Sequence, residues 1–327
     1  MKKIILNIVV ASVGVVLVSC GGNKQNSETS NSDSTKISGD VKIDGSSTVY
    51  PITEAVAEDF KATYPDVKVT VGLSGTGGGF KKFGRGEIDI NDASRSIKSI
   101  EDSLCKANNI NHIELRVAFD GLAVVVNPQN TWANDITIAE LKKIWEPEAQ
   151  GKIKYWNQIR PEWPKQEIHL FGAGVESGTY DYFTEAVVGK SHSSRGDYTA
   201  SEDDNVLVQG ISTDKLALGF FGIAYFIENK DKLKCIPVDD QKDENGKGPI
   251  LPSIETVKNK TYSPLGRPLF IYVNSTAAKR KEVQSFVDFY LTNGGVLSQE
   301  VGYIPMTDEE YTAEKTKFNE FVKTLSK

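Results

Sequence analysis

Residues 41–90, "VKIDGSSTVYPITEAVAEDFKATYPDVKVTVGLSGTGGGFKKFGRGEIDI", switch repeatedly between two hydrophobic periods. No other feature of the chain restricts its fold as strongly. Val41 and Ile43 alternate with polar residues, which predicts a short strand. Ile52, Val56 and Phe60 recur at helical spacing. Pro51 sits in the first turn of that helix, where its missing N–H costs nothing, and Thr48 stands where a cap is expected. Pro65 requires the helix to stop before it. Val67, Val69 and Val71 alternate again and run into a glycine-rich turn. A short helix from Gly79 and a third strand over Ile88–Ile90 complete a strand–helix–strand–helix–strand unit. That order predicts an α/β layer with a mostly parallel sheet.

Further along, "RVAFDGLAVVVNP" (116–128) and "GRPLFIYVNS" (266–275) read as long apolar strands. Between them lie predicted helices at 139–146 and 179–188 and the strand-like run "ALGFFGIAYF" at 217–226. After them, Val283, Phe286, Val287, Tyr290 and Leu291 fall at i, i+3, i+4, i+7 and i+8, the stripe of an amphipathic helix. A polar-rich helix is predicted over Asp308–Leu325. The simplest topology has two lobes, and a chain of 327 residues has room for both. Lobe 1 combines 39–120 with 271–327, and lobe 2 is the inserted 121–270. Two strands crossing between lobes make a hinge, and hinged lobes close around ligands.

The amino-terminal segment "MKKIILNIVVASVGVVLVSC" has Lys2 and Lys3 and then an apolar stretch of about 15 residues, the scale of a signal-peptide core. A membrane span needs about 20. The segment ends in Leu17-Val18-Ser19-Cys20, which resembles a bacterial lipobox. Residues 1–19 then form a cleaved lipoprotein signal peptide and Cys20 is the lipidated mature terminus. The competing reading is an uncleaved membrane anchor. Residues 20–38 are polar, with Ile37 as their one aliphatic side chain, and read as a disordered tether. Export permits a disulfide between Cys105 and Cys235. Two unpaired thiols are equally compatible with the sequence, because pairing needs Cα atoms within about 7 Å. His112, His169 and His192 are scattered and match no metal-ligand spacing.

The formal net charge of −6 leaves no basic excess for nucleic acid. An anion site in this chain must work through local geometry. Three turns have the required design: "DGSSTVYP" (44–51), "SGTGGGFKKF" (74–83) and "GAGVESGTYDYF" (172–183). In each, a strand ends, a Gly/Ser/Thr turn follows and a helix begins. Unpaired N–H groups at a helix start carry partial positive charge, glycine admits an anion to the backbone, and hydroxyls add neutral donors. Ligands of α/β sheets bind beyond the carboxyl ends of strands. Plain helix capping is the alternative for any one of these turns.

The motifs "DGSSTVYPITEAVAEDF", "SGTGGGFKKFGRGEIDINDASRSIK", "DGLAVVVN" and "ESGTYDYF", in this order after a lipobox, resemble the phosphate-binding proteins of phosphate ABC transporters. The resemblance spans roughly residues 40–305. It implies a two-lobe periplasmic binding protein fold of type II, which acts as a monomer and without a cofactor. Phosphate is dehydrated in its cleft and handed to the permease subunits. Carried over by position, the first-turn hydroxyl falls on Thr48, the second-turn donors on Thr76 and Gly77, and the Ser-Gly-Thr triplet on Ser177, Gly178 and Thr179. Ser47 is a further candidate beside Thr48. Two departures follow. Ala173 stands where the family places an arginine. Ser94 stands where it places the aspartate that accepts the proton of phosphate. Arg95, the next residue, is then expected to supply the cationic contact, since a guanidinium donates two parallel bonds to an oxyanion. Arg195 is a second cationic candidate, or else a partner of Asp197, Asp203 or Asp204. Asp92, Glu176 and Asp120 are candidates for the proton acceptor. An unpaired carboxylate facing sulfate would penalise that ion, so this choice bears on specificity. Another oxyanion (sulfate, molybdate or an organophosphate) is the alternative ligand. A catalytic role finds no support: GxxxxGK[ST], HExxH and GxSxG are all absent from the sequence, and Phe80 replaces the third glycine of a dinucleotide fingerprint.

Overall fold

The computed structural model describes residues 37–175, 177–201 and 203–325. The signal peptide, Cys20, nearly all of the tether and Glu176 lie outside the described residues. The strands are β1 (Gly39–Gly45), β2 (Val67–Val71), β3 (Ile90–Ala93), β4 (His112–Val126), β5 (Ile136–Thr137), β6 (His169–Ala173), β7 (Thr199–Ser201), β8 (Ala217–Gly222), β9 (Lys234–Cys235), β10 (Val238–Asp239) and β11 (Gly266–Asn274). The helices are α1 (Tyr50–Thr63), α2 (Gly75–Phe83), α3 (Ser99–Ala107), α4 (Ile138–Trp145), α5 (Gly178–Phe183), α6 (Asp204–Thr213), α7 (Ile223–Glu228), α8 (Ile254–Lys258), α9 (Lys281–Glu300) and α10 (Asp308–Leu325).

One continuous sheet runs β2-β1-β3-β11-β4-β8-β6-β7, with β9 added on β4. Its wings are parallel: β1 pairs with β2 and β3, and β6 pairs with β7 and β8. Its centre is antiparallel, where β11 and β4 run against each other and against their outer neighbours. β4 changes partner midway. It pairs with β11 from His112 to Gly121 and with β8 from Leu122 to Val126. β4 and β11 are the predicted long strands, and each joins the two wings.

On the first wing, Ile52, Val56 and Phe60 of α1 pack with Val283, Phe286 and Tyr290 of α9 in the main hydrophobic cluster. Phe80 and Phe83 of α2 pack with Cys105 of α3 and Tyr272 in a second cluster. On the other wing, Phe220 and Phe221 of β8 serve different clusters, as alternation across a sheet requires. Phe220 stacks on Phe183 at 3.6 Å, while Phe221 meets Leu207 and Ile211 of α6.

The helix ending before Pro65, the strand at Val67–Val71, the amphipathic stripe of α9 and the bounds of α10 match the sequence expectations. Four details differ. The run 217–226 is a strand only to Gly222, whose register partner is Leu122, and then turns into α7. The third strand lies at Ile90–Ala93, two residues later than the hydrophobic pattern suggests, with Asn91 and Asp92 inside it. Pairing to β1 on one side and β11 on the other outweighs their polarity. The predicted 179–188 helix is α5 followed by a π-helical turn over Thr184–Val188.

The fourth detail is α2, which starts at Gly75 rather than Gly79. Asp44 holds that start from below, accepting from the Ser74 N–H at 2.9 Å and the Ser74 hydroxyl at 2.6 Å. A Cβ at Gly79 would stand 1.9 Å from Asn91 Oδ1 and 2.7 Å from Gly45 Cα. The glycine run therefore lets α2 lie directly on the sheet, despite its poor helix propensity.

Cys105 and Cys235 are free thiols. Among the described residues no helix is long and apolar enough to cross a membrane, and no His/Cys/Asp/Glu group could hold a metal ion.

Candidate functional site

A cleft of about 520 Å³ opens where the predicted turns meet. Ser46, Ser47 and Thr48 line it from the end of β1, Thr76 and Gly77 from the start of α2, and Ser94 and Arg95 from the end of β3. Asp181, Tyr182 and Glu185 line it from the segment that begins with the Ser-Gly-Thr triplet.

The first turn is held tightly. The Ser46 N–H donates to the Asp92 carbonyl at 3.0 Å, and the Thr48 N–H donates to Ser46 Oγ at 3.2 Å. Thr48 does not cap α1, whose N-cap is Val49 with no side-chain bond. Its hydroxyl oxygen instead accepts from Arg267 Nη2 at 2.9 Å. Ser47 Oγ donates to Asp181 Oδ2 at 2.5 Å.

The second and third strand ends are joined through Thr76 and Ser94. Their hydroxyls lie 3.1 Å apart, and the Ser94 N–H donates to Thr76 Oγ1 at 3.2 Å. Asp44 also accepts from Lys82 Nζ at 2.5 Å. Burial raises the Asp44 pKa, but the bonds from Lys82 and Ser74 outweigh it and leave the carboxyl below its usual range. Arg95 lies against Gly77, its Nη2 3.5 Å from where a Cβ would stand. It donates both Nη groups to the Glu101 carboxylate, at 2.9 and 2.8 Å.

At the triplet, Ser177 caps α5 by accepting from the Thr179 N–H at 3.2 Å. Gly178 lies against the first turn, and a Cβ there would come within 3.0 Å of Thr48 Cα and 3.1 Å of the Ser47 carbonyl oxygen. The triplet therefore abuts the cleft. The lining side chains of this segment are Asp181, Tyr182 and Glu185.

Arg267, at the start of β11, is the residue that periodicity and motif spacing missed. Its guanidinium carbon sits 3.4 Å from the Tyr182 ring centroid. Nε is 3.6 Å from Asp120 Oδ2, and Nη1 is 3.8 Å from Glu185 Oε2. Arg267 and Asp120 are register partners on the two crossing strands. Burial raises the Asp120 pKa, and Arg267 draws it back only in part. A lone arginine opening an otherwise apolar strand in "GRPLFIYVNS" was the available signal. Nothing in the sequence singled out Asp181 or Glu185, four residues apart just beyond the triplet.

Three expected ligands lie elsewhere. Arg195 is buried away from the cleft. It grips Asp197 through Nε at 2.5 Å and Nη2 at 2.8 Å, and donates Nη1 to the carbonyls of Ile144 and Ile153. Its partner reading is the one the structure carries. Asp92 is fully buried and absent from the cleft wall; neither carboxylate oxygen has a hydrogen-bond partner among the described residues. The Thr53 hydroxyl, 3.0 Å from the Tyr290 hydroxyl, faces Asp92 and favours its charged form, but less than burial opposes it. Asp92 lies within β3, beside Thr53 of α1 and Tyr290 of α9, whereas Ser94 and Arg95 follow the last strand residue, Ala93, into the opening. Burial holds the Asp92 pKa well above the usual carboxylate range. Asp120 is not in the cleft wall either; it stands behind Arg267.

The sequence matches the family described as PBP superfamily domain over residues 29–293. It is 51% identical over 280 residues to Protein SphX of Synechocystis sp., covering 85% of this chain and 82% of that protein. It is 37% identical over 316 residues to the phosphate-binding protein PstS of Staphylococcus saprophyticus, covering 96% and 93%. Among solved structures, a possible phosphate binding protein from Planctomyces limnophilus superposes with a TM-score of 0.82 at 47% identity, over 89% of this chain and all of that one. A putative phosphate ABC transporter substrate-binding protein from Clostridium perfringens, solved with bound phosphate, has a TM-score of 0.54 at 26% identity, over 82% and 100%.

Proposed function

This chain belongs to the PstS phosphate-binding proteins of the PBP superfamily, and on that premise we propose that it captures inorganic phosphate outside the cytoplasm and delivers it to the permease subunits of an ABC transporter. The observation that carries the reading is the convergence of three strand-end turns, far apart in sequence, with two arginines on one cleft. Thr48, Thr76, Gly77 and Ser94 line that cleft, and Ser177, Gly178 and Thr179 adjoin it. Backbone N–H groups and hydroxyls replace the water around a tetrahedral ion, and arginine adds a full charge.

On this reading the cleft lies between the two lobes. The lobe boundaries are 39–120 with 271–327 and 121–270. The change of partner by β4 between Gly121 and Leu122 supports them. Lipidation of Cys20 tethers the mature chain to the membrane through residues 21–38, and the chain works as a monomer.

Thermal denaturation with phosphate, arsenate, sulfate and molybdate tests the ligand. A ligand at one hundred times its Kd stabilises the folded form by about 2.7 kcal/mol. Phosphate is expected to raise the melting temperature and a large excess of sulfate to leave it unchanged. A melting curve that moves with sulfate and not with phosphate overturns the reading. Ser177→Ala with Thr179→Ala is expected to weaken phosphate binding about tenfold or more, since hydrogen bonds to charged groups contribute roughly 1.5–3 kcal/mol. Cys20→Ser is expected to release the protein from membranes into the soluble fraction.

A further inference from the structure

We infer that Arg267 is itself a ligand of the bound ion and that it ties ion capture to closure of the lobes; this rests on the phosphate reading above. Arg95, the cation expected from the sequence, already donates both Nη groups to Glu101. Arg267 is differently placed. Its one hydrogen bond among the described residues runs from Nη2 to Thr48 Oγ1. Its nearest carboxylates, Asp120 and Glu185, stand at 3.6 and 3.8 Å, beyond hydrogen-bond length. Nε of Arg267 and Oδ2 of Asp120 are both buried without a hydrogen-bond partner.

A guanidinium carries five N–H donors and stays protonated at any working pH. Leaving some of them unpaired in a buried place is costly, and an oxyanion is the group that satisfies two at once. The ring of Tyr182 covers one face of the guanidinium, so the ion is received on the edge that faces the cleft. The same group sits on one crossing strand, opposite Asp120 on the other. It touches Thr48 of the first lobe and Tyr182 of the inserted one. An ion bound on that edge therefore joins both lobes at the hinge. Lysine keeps the charge and loses the fork, so it cannot hold Thr48, Tyr182 and the ion together.

The test compares wild type with Arg267→Lys, Arg267→Met and the double variant Asp120→Asn/Arg267→Met, which leaves no unpaired buried carboxylate. Phosphate affinity by calorimetry is expected to fall about 100-fold in both Met variants and about tenfold in the Lys variant, the range implied by losing charge-assisted bonds. Small-angle scattering is expected to show a contraction on phosphate saturation in wild type that diminishes in the Lys variant. In the intact wild-type protein, the Arg267 Nε–H resonance, assigned by its loss in Arg267→Lys, is expected to shift and exchange more slowly with phosphate; this readout does not depend on a variant folding. Wild type that binds no phosphate overturns the functional reading. Wild type that binds phosphate with an unmoved Arg267 resonance, or a folded Met variant within threefold of wild type, overturns the ligand role alone. Full contraction in the Lys variant overturns the coupling to closure.

Discussion

Gly178→Ala isolates the contact between the triplet and the first turn. The new methyl carbon would stand 3.0 Å from Thr48 Cα, 3.1 Å from the Ser47 carbonyl oxygen and 3.2 Å from the Ser47 carbonyl carbon. Ordinary carbon contacts lie near 3.5–4.0 Å, so the facing backbone must retreat by roughly half an ångström. That backbone is not free to do so, because Ser46 is tied to Asp92 and Thr48 to Ser46. Overpacking of this kind costs about 1–3 kcal/mol. On the proposed lobe boundaries the two segments belong to different lobes, and the cost is then expected to fall on the closed form. At about 1.4 kcal/mol per decade, phosphate affinity should drop roughly 5- to 150-fold. The ligand-free melting temperature should change little or rise slightly, since alanine favours helix over glycine by up to about 1 kcal/mol. Calorimetry for affinity and thermal denaturation without phosphate separate the two effects. A variant that binds phosphate within twofold of wild type refutes the close approach of Gly178 to the first turn. A variant that loses affinity only through a large fall in melting temperature refutes the assignment of that contact to the closed form.

Arg195→Ala should destabilise the fold by about 1–3 kcal/mol, because it leaves the carbonyls of Ile144 and Ile153 without their donor and strips the pairing to the exposed Asp197, while the folded fraction binds phosphate normally; a selective loss of affinity in calorimetry would return Arg195 to the site. Asp44→Ala should cost about 2–4 kcal/mol and loosen the start of α2, since Ser74 and Lys82 both lose their acceptor. The folded pKa of Asp44 lies below its ordinary 3.8, so its contribution is present above that value and lost as pH falls through the lowered one. The gap between wild type and Asp44→Ala in urea unfolding should therefore narrow on acidification. Asp92 has the opposite sign. Its folded pKa is raised well above 3.8, so its contribution is complete below that value and lost as pH rises through the folded pKa. Asp92→Asn should match wild type in acid, exceed it in stability at neutral pH and leave phosphate affinity unchanged; a neutral-pH loss of affinity would place Asp92 in the site after all.

Sequence by itself determined the layer architecture, the two crossing strands and the turns that carry the hydroxyls. These are local properties: hydrophobic period, a proline stop and Gly/Ser/Thr at strand ends act over a few residues, and α1, β2, α9 and α10 followed them. It also indicated Arg95 and the hydroxyls of Thr48, Thr76 and Ser94, which do line the cleft. Tertiary structure alone decided which charged groups reach that cleft. Asp92 and Arg95 are three positions apart, yet one is buried within β3 and the other lies past the strand end, in the opening. For Arg195 the sequence left ligand and ion-pair partner both open, and the fold decides for the partner by setting Ile144, Ile153 and Asp197 around it. Arg267 meets Thr48 across 219 positions of chain, through a register between β4 and β11 that no local pattern encodes. Charge depends on what lies within a few ångströms, and that distance is set by the fold as a whole.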